Sequence, residues 1–374
     1  IVSLSIIFFY FFAKALTNSH KKAFFSTFAL FAVPSFLSHF IWAIALTIPL
    51  FFISFYALER IKDDRKWAIT ASIVITAALT SSPTHSTYFG LFFILYLAAK
   101  MLSEKKILVY EFFAGIGGFL FSITVWWLPM IMKFGLKGIL QVFGLQGFGN
   151  LNAGVFSVGG TGDRIYNLYD FIYASKNNMI NNPAGIGIVL SLLFVTALVF
   201  IIYRNYSEIK KHRIFVFSIF FILELLMVVV FWKTYVGKLW ESEKGSVSFL
   251  LFFAQQRFLV VMLAIILFIV ISLIVINFKT GLKDSYLIIV FAWLIFTFYA
   301  VNAAPFSYKL SPFRTWMLLA IPFSLLVGEA INSINNLVKS VLRSVIRMPI
   351  FVAIMSFAAL GIIFFGVIAT SFAQ

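Results

Sequence analysis

The chain has 374 residues; 62% are hydrophobic, Phe alone contributes 49, and 11% are charged. A soluble domain carries about 25% charged residues, so a soluble globular protein, a disordered chain and a nucleic-acid-binding domain are all excluded. The net charge of +16 is dispersed in short clusters between long apolar runs, the pattern of a polytopic membrane protein. With no cysteine, disulfides, thiolate metal sites and Cys nucleophiles are ruled out.

Twelve apolar segments are predicted near 1–16, 23–38, 41–58, 67–82, 84–100, 107–128, 183–203, 214–232, 257–277, 285–302, 315–335 and 349–371. Each approaches the roughly 20 residues needed to cross a bilayer. Such runs imply helices, because barrel strands alternate over about 10 residues. The fold class is therefore all-α: one polytopic transmembrane helix bundle over residues 1–374. Pro34 and Pro83 mark short turns. The chain opens at Ile1 in mid-run, as a fragment or a processed chain would, with no signal-peptide pattern.

Lys and Arg set the orientation. Lys21, Lys22, the Arg60–Lys66 cluster, Lys100, Lys105, Lys106, the Arg204–Arg213 cluster, Lys279, Lys283, Lys339, Arg343 and Arg347 fall in one set of loops. Fewer, including Lys133, Arg164, Lys238, Arg257 and Arg314, fall in the opposite and longer set. The first set is expected to be cytoplasmic. The C-terminus and two long loops, near 129–182 and 233–256, are then external, and the protein belongs in the cell membrane. Long loops in a compact protein are usually functional or disordered. The first holds nine glycines from Gly135 to Gly162, then the aromatic stretch IYNLYDFIYASK.

Thirteen acids are present. Glu59, Asp63, Asp64, Glu104, Glu208 and Asp284 sit beside basic residues in cytoplasmic loops and read as solvated charge balance. Glu111, Glu224 and Glu329 lie within helices, where a charge must face protein or water or be neutralised. The external acids are Asp163, Asp170, Glu241 and Glu243. In WESEK, Glu241 and Glu243 flank a hydroxyl and form a candidate oxygen-ligand set for a divalent cation such as Mg²⁺ or Mn²⁺, or a solvated pair. GGTGDR at 159–164 has the glycines of a phosphate cradle without the following Gly-Lys-Ser/Thr, and reads as a loop.

Arg314, in SPFRTWMLLAIP, and Arg257, in AQQRFLVVMLA, stand before apolar helices on the external side. A guanidinium binds phosphate through two parallel hydrogen bonds, so both are candidates for the head of a polyprenyl phosphate; the alternative is an interfacial anchor. His39 and His85 fall at external turns as candidate vestibule residues, or as caps and packing residues. Trp126 and Trp127 fit the interfacial aromatic belt.

Three stretches carry a resemblance. IVSLSIIFFYFFAKALTNSHKKAFFSTFALFAVPSFLSHF, with its Ser38–His39 pair, resembles the second and third spans of the GT-C membrane glycosyltransferases, specifically the oligosaccharyltransferase catalytic subunit. SPFRTWMLLAIPFSLLVG resembles that family's Arg-led penultimate span, and the loop 233–256 takes the place of its long mobile loop. The resemblance implies transfer of a sugar or glycan from a lipid-linked donor to a glycan or protein acceptor at the external face. It implies that Arg314 contacts the (pyro)phosphate and that Glu241 or Glu243 holds metal and acceptor. It also implies that the catalytic base lies upstream of Ile1. The sequence departs from the family in FIWAIALTIP, which lacks the second acidic cluster, and the family's soluble C-terminal domain does not fall within the chain. The alternatives are a flippase or transporter for a lipid-linked glycan, which predicts mid-membrane ionisable residues, and a non-catalytic GT-C paralogue.

Overall fold

The computed structural model describes residues 2–38, 44–81, 83–142, 168–172, 175–176, 183–231, 249–301, 312–345 and 348–372. Its elements in chain order are α1 (Val2–Thr17), α2 (His20–Ala32), α3 (Pro34–Ser38), α4 (Ile44–Arg60), α5 (Trp67–Ser81), α6 (Pro83–Glu104) and α7 (Val109–Ser122). One turn of π-helix (Ile123–Trp127) leads into α8 (Leu128–Val142), and α9 (Leu168–Ile172) precedes a minimal antiparallel pair, β1 (Ser175–Lys176) and β2 (Pro183–Ala184). Then follow α10 (Ile188–Lys211), α11 (Arg213–Phe231), α12 (Phe249–Lys279), α13 (Tyr286–Val301), α14 (Pro312–Val345) and α15 (Pro349–Phe372).

Among the described residues, six helical stretches are long and apolar enough to cross a membrane: His85–Glu104, Val109–Leu136, Ile188–Lys211, Val261–Lys279, Thr315–Ser344 and Pro349–Thr370. Their outer faces expose Phe112, Phe119, Leu192, Phe357, Phe365 and many similar side chains. Monomeric soluble proteins rarely expose apolar patches beyond a few hundred Å², so these faces suit lipid rather than water.

Local chemistry explains the helix ends. Asn18 adopts φ 50°, a left-handed turn that Asn tolerates, and Ser19 caps α2 by accepting a hydrogen bond from the Lys22 amide at 3.3 Å. The apolar segment expected at 23–38 is two helices. Pro34 forces its predecessor out of the helical region, and Val33 is extended at φ −75°, ψ 115°. The external loop expected at 129–182 begins as helix, since α8 runs to Val142 with a kink at Gly135 (φ 75°). The loop expected at 233–256 ends as helix, because FLLFFAQQ continues the apolar pattern of α12 upstream. The span expected at 315–335 belongs to a 34-residue helix, about 51 Å long at 1.5 Å per residue. Its first half is buried and its second half, NSINNLVKSVLRSV, is amphipathic and partly exposed.

The core is aromatic. Trp293 of α13 donates Nε1–H to the Phe92 carbonyl at 3.0 Å. Its ring lies 4.9 Å from Phe55, 5.3 Å from Phe92 and 5.8 Å from Phe12. One indole thus joins α1, α4, α6 and α13, with its single polar atom satisfied.

The most extensive helix pairing is α2 on α14, and it depends on a glycine. A Cβ at Gly328 would collide with Ser26 Oγ and lie 2.7 Å from the Ser26 backbone nitrogen. Small residues at membrane-helix crossings allow such backbone approach. Gly328→Ala should therefore lower the thermal midpoint in detergent, with a cost of about 1–3 kcal/mol from overpacking. Gly361→Ala in α15, where a Cβ would meet nothing within 4 Å, should be neutral or slightly stabilising. Equal midpoints for the two variants would contradict the crossing.

Candidate functional site

The charged turns gather at one end of the bundle. Lys62 Nζ donates to the Ala15 carbonyl at 3.3 Å, and Asn277 Nδ2 donates to the carbonyls of Leu102 and Ser103 at 2.9 and 3.0 Å. Lys22 pairs with Asp284 at 2.9 Å and Glu329 at 2.8 Å; Arg204 reaches the same two acids at 3.0 and 2.8 Å. Tyr286 donates its hydroxyl to Glu329 at 2.7 Å. The turns α1–α2, α4–α5, α6–α7 and α12–α13 therefore share one side, as the basic loops imply.

Two acids expected to be solvated are instead enclosed there. Asp284 sits in the Lys22–Arg204–Glu329 cluster, its side chain 17% exposed. Glu59, 3% exposed, accepts the Tyr96 hydroxyl at 2.7 Å and pairs with Lys100 at 3.1 Å. Lys100 also lies 3.8 Å from Glu104 and 3.9 Å from Glu111. The cause is tertiary: each acid is held most closely by a cation from another helix, and for Glu59 the neighbouring Lys62 adds a longer contact at 3.7 Å. A buried charge is tolerated only when paired and hydrogen-bonded. At the rim, the Glu104 carboxylate holds Lys106 at 2.7 Å and raises the pKa of its ammonium group above the ordinary lysine value. With Lys62 counted beside Lys100 and Lys106 against Glu59, Glu104 and Glu111, and Lys22 and Arg204 against Asp284 and Glu329, both clusters are balanced in charge, and they tie helices together.

The opposite end has another character. There α3, α9, the β-pair, the start of α10 and the start of α14 converge. The Ser35 amide donates to the Gly185 carbonyl at 3.3 Å and the Ile186 amide to the Phe171 carbonyl at 3.0 Å. Gly185 and Gly187, at φ 109° and 103°, make the turn into α10 in a region that L side chains rarely adopt. The Phe171 ring lies 4.6 Å from Trp316 and 5.1 Å from Phe298. This fastens the five-residue α9 to the outer turns of α13 and α14. Ser35, Asp170 and Thr315 are buried here at 0%, 4% and 0% exposure, and each of the three interacts with a neighbour.

Beneath this corner lies an apolar cavity of about 190 Å³. Its walls include Phe171, Ile186, Phe194, Leu294, Leu319 and Phe323, with Ser191 among them. The Ser191 hydroxyl is turned away to the Gly187 carbonyl at 2.8 Å.

Arg314 occupies the first turn of α14, directly before the buried Thr315 and Trp316, and Arg257 lies within α12; the side chains of both fall outside the described residues. His39, Glu241, Glu243 and the GGTGDR loop also lie outside the described residues, as does the side chain of Glu224. His85 is 3% exposed near the outer end of α6, its ring 6.2 Å from Tyr88. Among the described residues, no group of three His, Asp or Glu has a metal-binding arrangement. Among the described residues, the acid beside the mouth of α14 is Asp170, next to the Phe171 that packs on Trp316; the sequence marks it only as one external acid among four. Its signal was a lone carboxylate inside an aromatic run.

Comparison of the chain with protein-family models, curated proteins and solved structures finds no match.

The Glu329 cluster yields a direct test. Glu329→Ala leaves Lys22 with the Tyr286 hydroxyl and an Asp284 that it shares with Arg204 in a partly buried site, and should cost about 3 kcal/mol. Combining it with Lys22→Met should recover part of that loss. Additive losses, measured by urea unfolding in micelles, would show that the two residues are uncoupled.

Proposed function

We propose that the protein is a GT-C-type glycosyltransferase that moves a sugar or glycan from a polyprenyl (pyro)phosphate carrier to an acceptor at the external membrane face. The observation that carries the proposal is the position of Arg314 on α14. It lies five residues, about 7.5 Å of helix rise, before Leu319, which walls the apolar cavity. A phosphate at the helix mouth and the first part of an isoprenoid chain in the cavity make one continuous amphipathic site.

In the reaction, an acceptor oxygen or nitrogen attacks the anomeric carbon. The bond from that carbon to the phosphate oxygen breaks, and the electron pair leaves with the carrier phosphate. Arg314 offsets the charge that develops on the leaving group. A carboxylate accepts the acceptor's proton; in the resemblance it lies upstream of Ile1, and among the described residues Asp170 is the buried acid nearest the mouth of α14. The charged turns are then cytoplasmic and the C-terminus external. The flippase reading draws less support, since the described buried acids at the charged end are paired and hydrogen-bonded rather than placed along a pathway.

Arg314→Ala should reduce release of carrier phosphate from a polyprenyl-phosphate sugar by at least about 100-fold. Arg314→Lys should restore only part of it, because an ammonium lacks the planar fork. Tight lipid binding without turnover in the unsubstituted chain would point to a flippase or an inactive paralogue. A divalent cation on Glu241 and Glu243 predicts that EDTA abolishes transfer and that Mg²⁺ or Mn²⁺ restores it. Transfer that survives EDTA would remove the metal from the reading.

A further inference from the structure

A second apolar space has no part in that reaction. It is a groove of about 710 Å³ between α5–α6 on one side and α7, the π-turn and α8 on the other. Its lining includes Leu79 and Ser86 at one end, Gly90, Phe93 and Phe119 along its length, and Leu97 and Phe112 at the other end. None of its lining residues is charged, and it shares none with the cavity beneath Arg314.

The geometry points to a binding site for one hydrocarbon chain of a bulk membrane lipid, drawn from the leaflet opposite the charged turns. Three observations select that occupant. The groove runs along α6 from Ser86 to Leu97, about 16 Å at 1.5 Å per residue. Half of a hydrocarbon core is about 15 Å, so the wall that α6 provides is one leaflet deep; the facing wall starts at Phe112 and continues through the π-turn to Leu136 of α8.

Its inner end is closed. One turn beyond Leu97 stands Lys100, and one residue before Phe112 stands Glu111, 3.9 Å apart and buried with Glu59 beside the half-buried Glu104. An alkyl chain entering that cluster would strip charges of their partners, which is strongly unfavourable. The ion cluster is therefore the floor of the groove.

The walls are shaped to stay open on the lipid side. A Cβ at Gly90 would meet nothing within 4 Å, so the glycine leaves the groove wide. Gly115 of α7 seats the Phe93 ring, which a Cβ there would displace, and so fixes the spacing of the two walls. Gly118 seats α7 on α5, where Thr76 Oγ1 donates to the Gly118 carbonyl at 3.1 Å. The Val109–Leu136 stretch is only 17% buried over its span window, and Phe112, Ile116 and Phe119 of the lining are exposed. A groove that opens sideways onto lipid must fill with chain or stay empty, and an empty one forfeits the dispersion contacts of its walls.

The test uses the full chain in nanodiscs doped with phosphatidylcholine that carries a photoactivatable diazirine in one acyl chain, with labelled peptides mapped by mass spectrometry. Labelling should concentrate on Phe93, Phe119 and their neighbours, several-fold above the exposed Phe357 and Phe365 of α15. Gly90→Phe, which fills the groove, should reduce the groove signal about tenfold and leave α15 unchanged. Ile94→Trp at the groove's edge is the second variant if Gly90→Phe does not fold, as judged by its thermal midpoint. Uniform labelling of all lipid-facing helices, or a groove signal indifferent to both variants, would overturn the site. So would a polyprenyl phosphate with a photoactivatable tail that displaced phosphatidylcholine from the groove, because the donor's own chain would then be the occupant. Arg314→Ala should leave groove labelling untouched, so failure here and failure of the glycosyltransferase reading are separable.

Discussion

One carboxylate sets the depth of the longest helix. Glu329 is 1% exposed and is held by Lys22 of α2, Arg204 of α10 and Tyr286 of α13. Four helices thus meet at one point at the charged end. Because Gly328 beside it lets α2 approach to backbone contact, α14 can neither slide nor rotate without stripping an ion of its partners. The first turn of α14 lies fifteen residues away, about 22 Å at 1.5 Å per residue. The position of Arg314 at the opposite end follows from that anchor.

The bundle therefore has two unlike ends. At one, charges from distant helices neutralise one another, and the second cluster around Lys100 repeats the device for α4, α6 and α7. At the other, the described residues show aromatic clamps, positive-φ glycines and a few buried polar groups around Asp170. The proposed headgroup site lies at the second end, where polar groups border apolar space. At the first end the acids of the two described clusters are already paired.

Most of the helices were legible in the sequence because apolar runs and prolines speak locally: Pro83 opens α6, and the α1–α2 turn at Asn18–Ser19 is written in residues that favour it. The common side of the basic turns was legible too, because the Lys and Arg bias follows the parity of the spans. The enclosure of Glu59 and Asp284 was not. Asp284 sits beside Lys283 in sequence, yet the cation that buries it is Lys22, 262 positions away. Nor was α9: five residues in a glycine-rich and aromatic loop carry no helical period. Asp170 is distinguished by a tertiary contact, the packing of Phe171 against Trp316.

The most direct measurement of this two-ended account exploits the absence of native cysteine. Single substitutions Ser157→Cys, in the glycine-rich stretch of the sequence, and Lys283→Cys, at the exposed edge of the charged turns, would be treated with a membrane-impermeant maleimide on intact cells. The account predicts that Ser157→Cys is labelled at once and Lys283→Cys only after permeabilisation. Labelling of Lys283→Cys alone on intact cells would reverse the orientation, put the mouth of α14 in the cytoplasm and contradict an external site for sugar transfer.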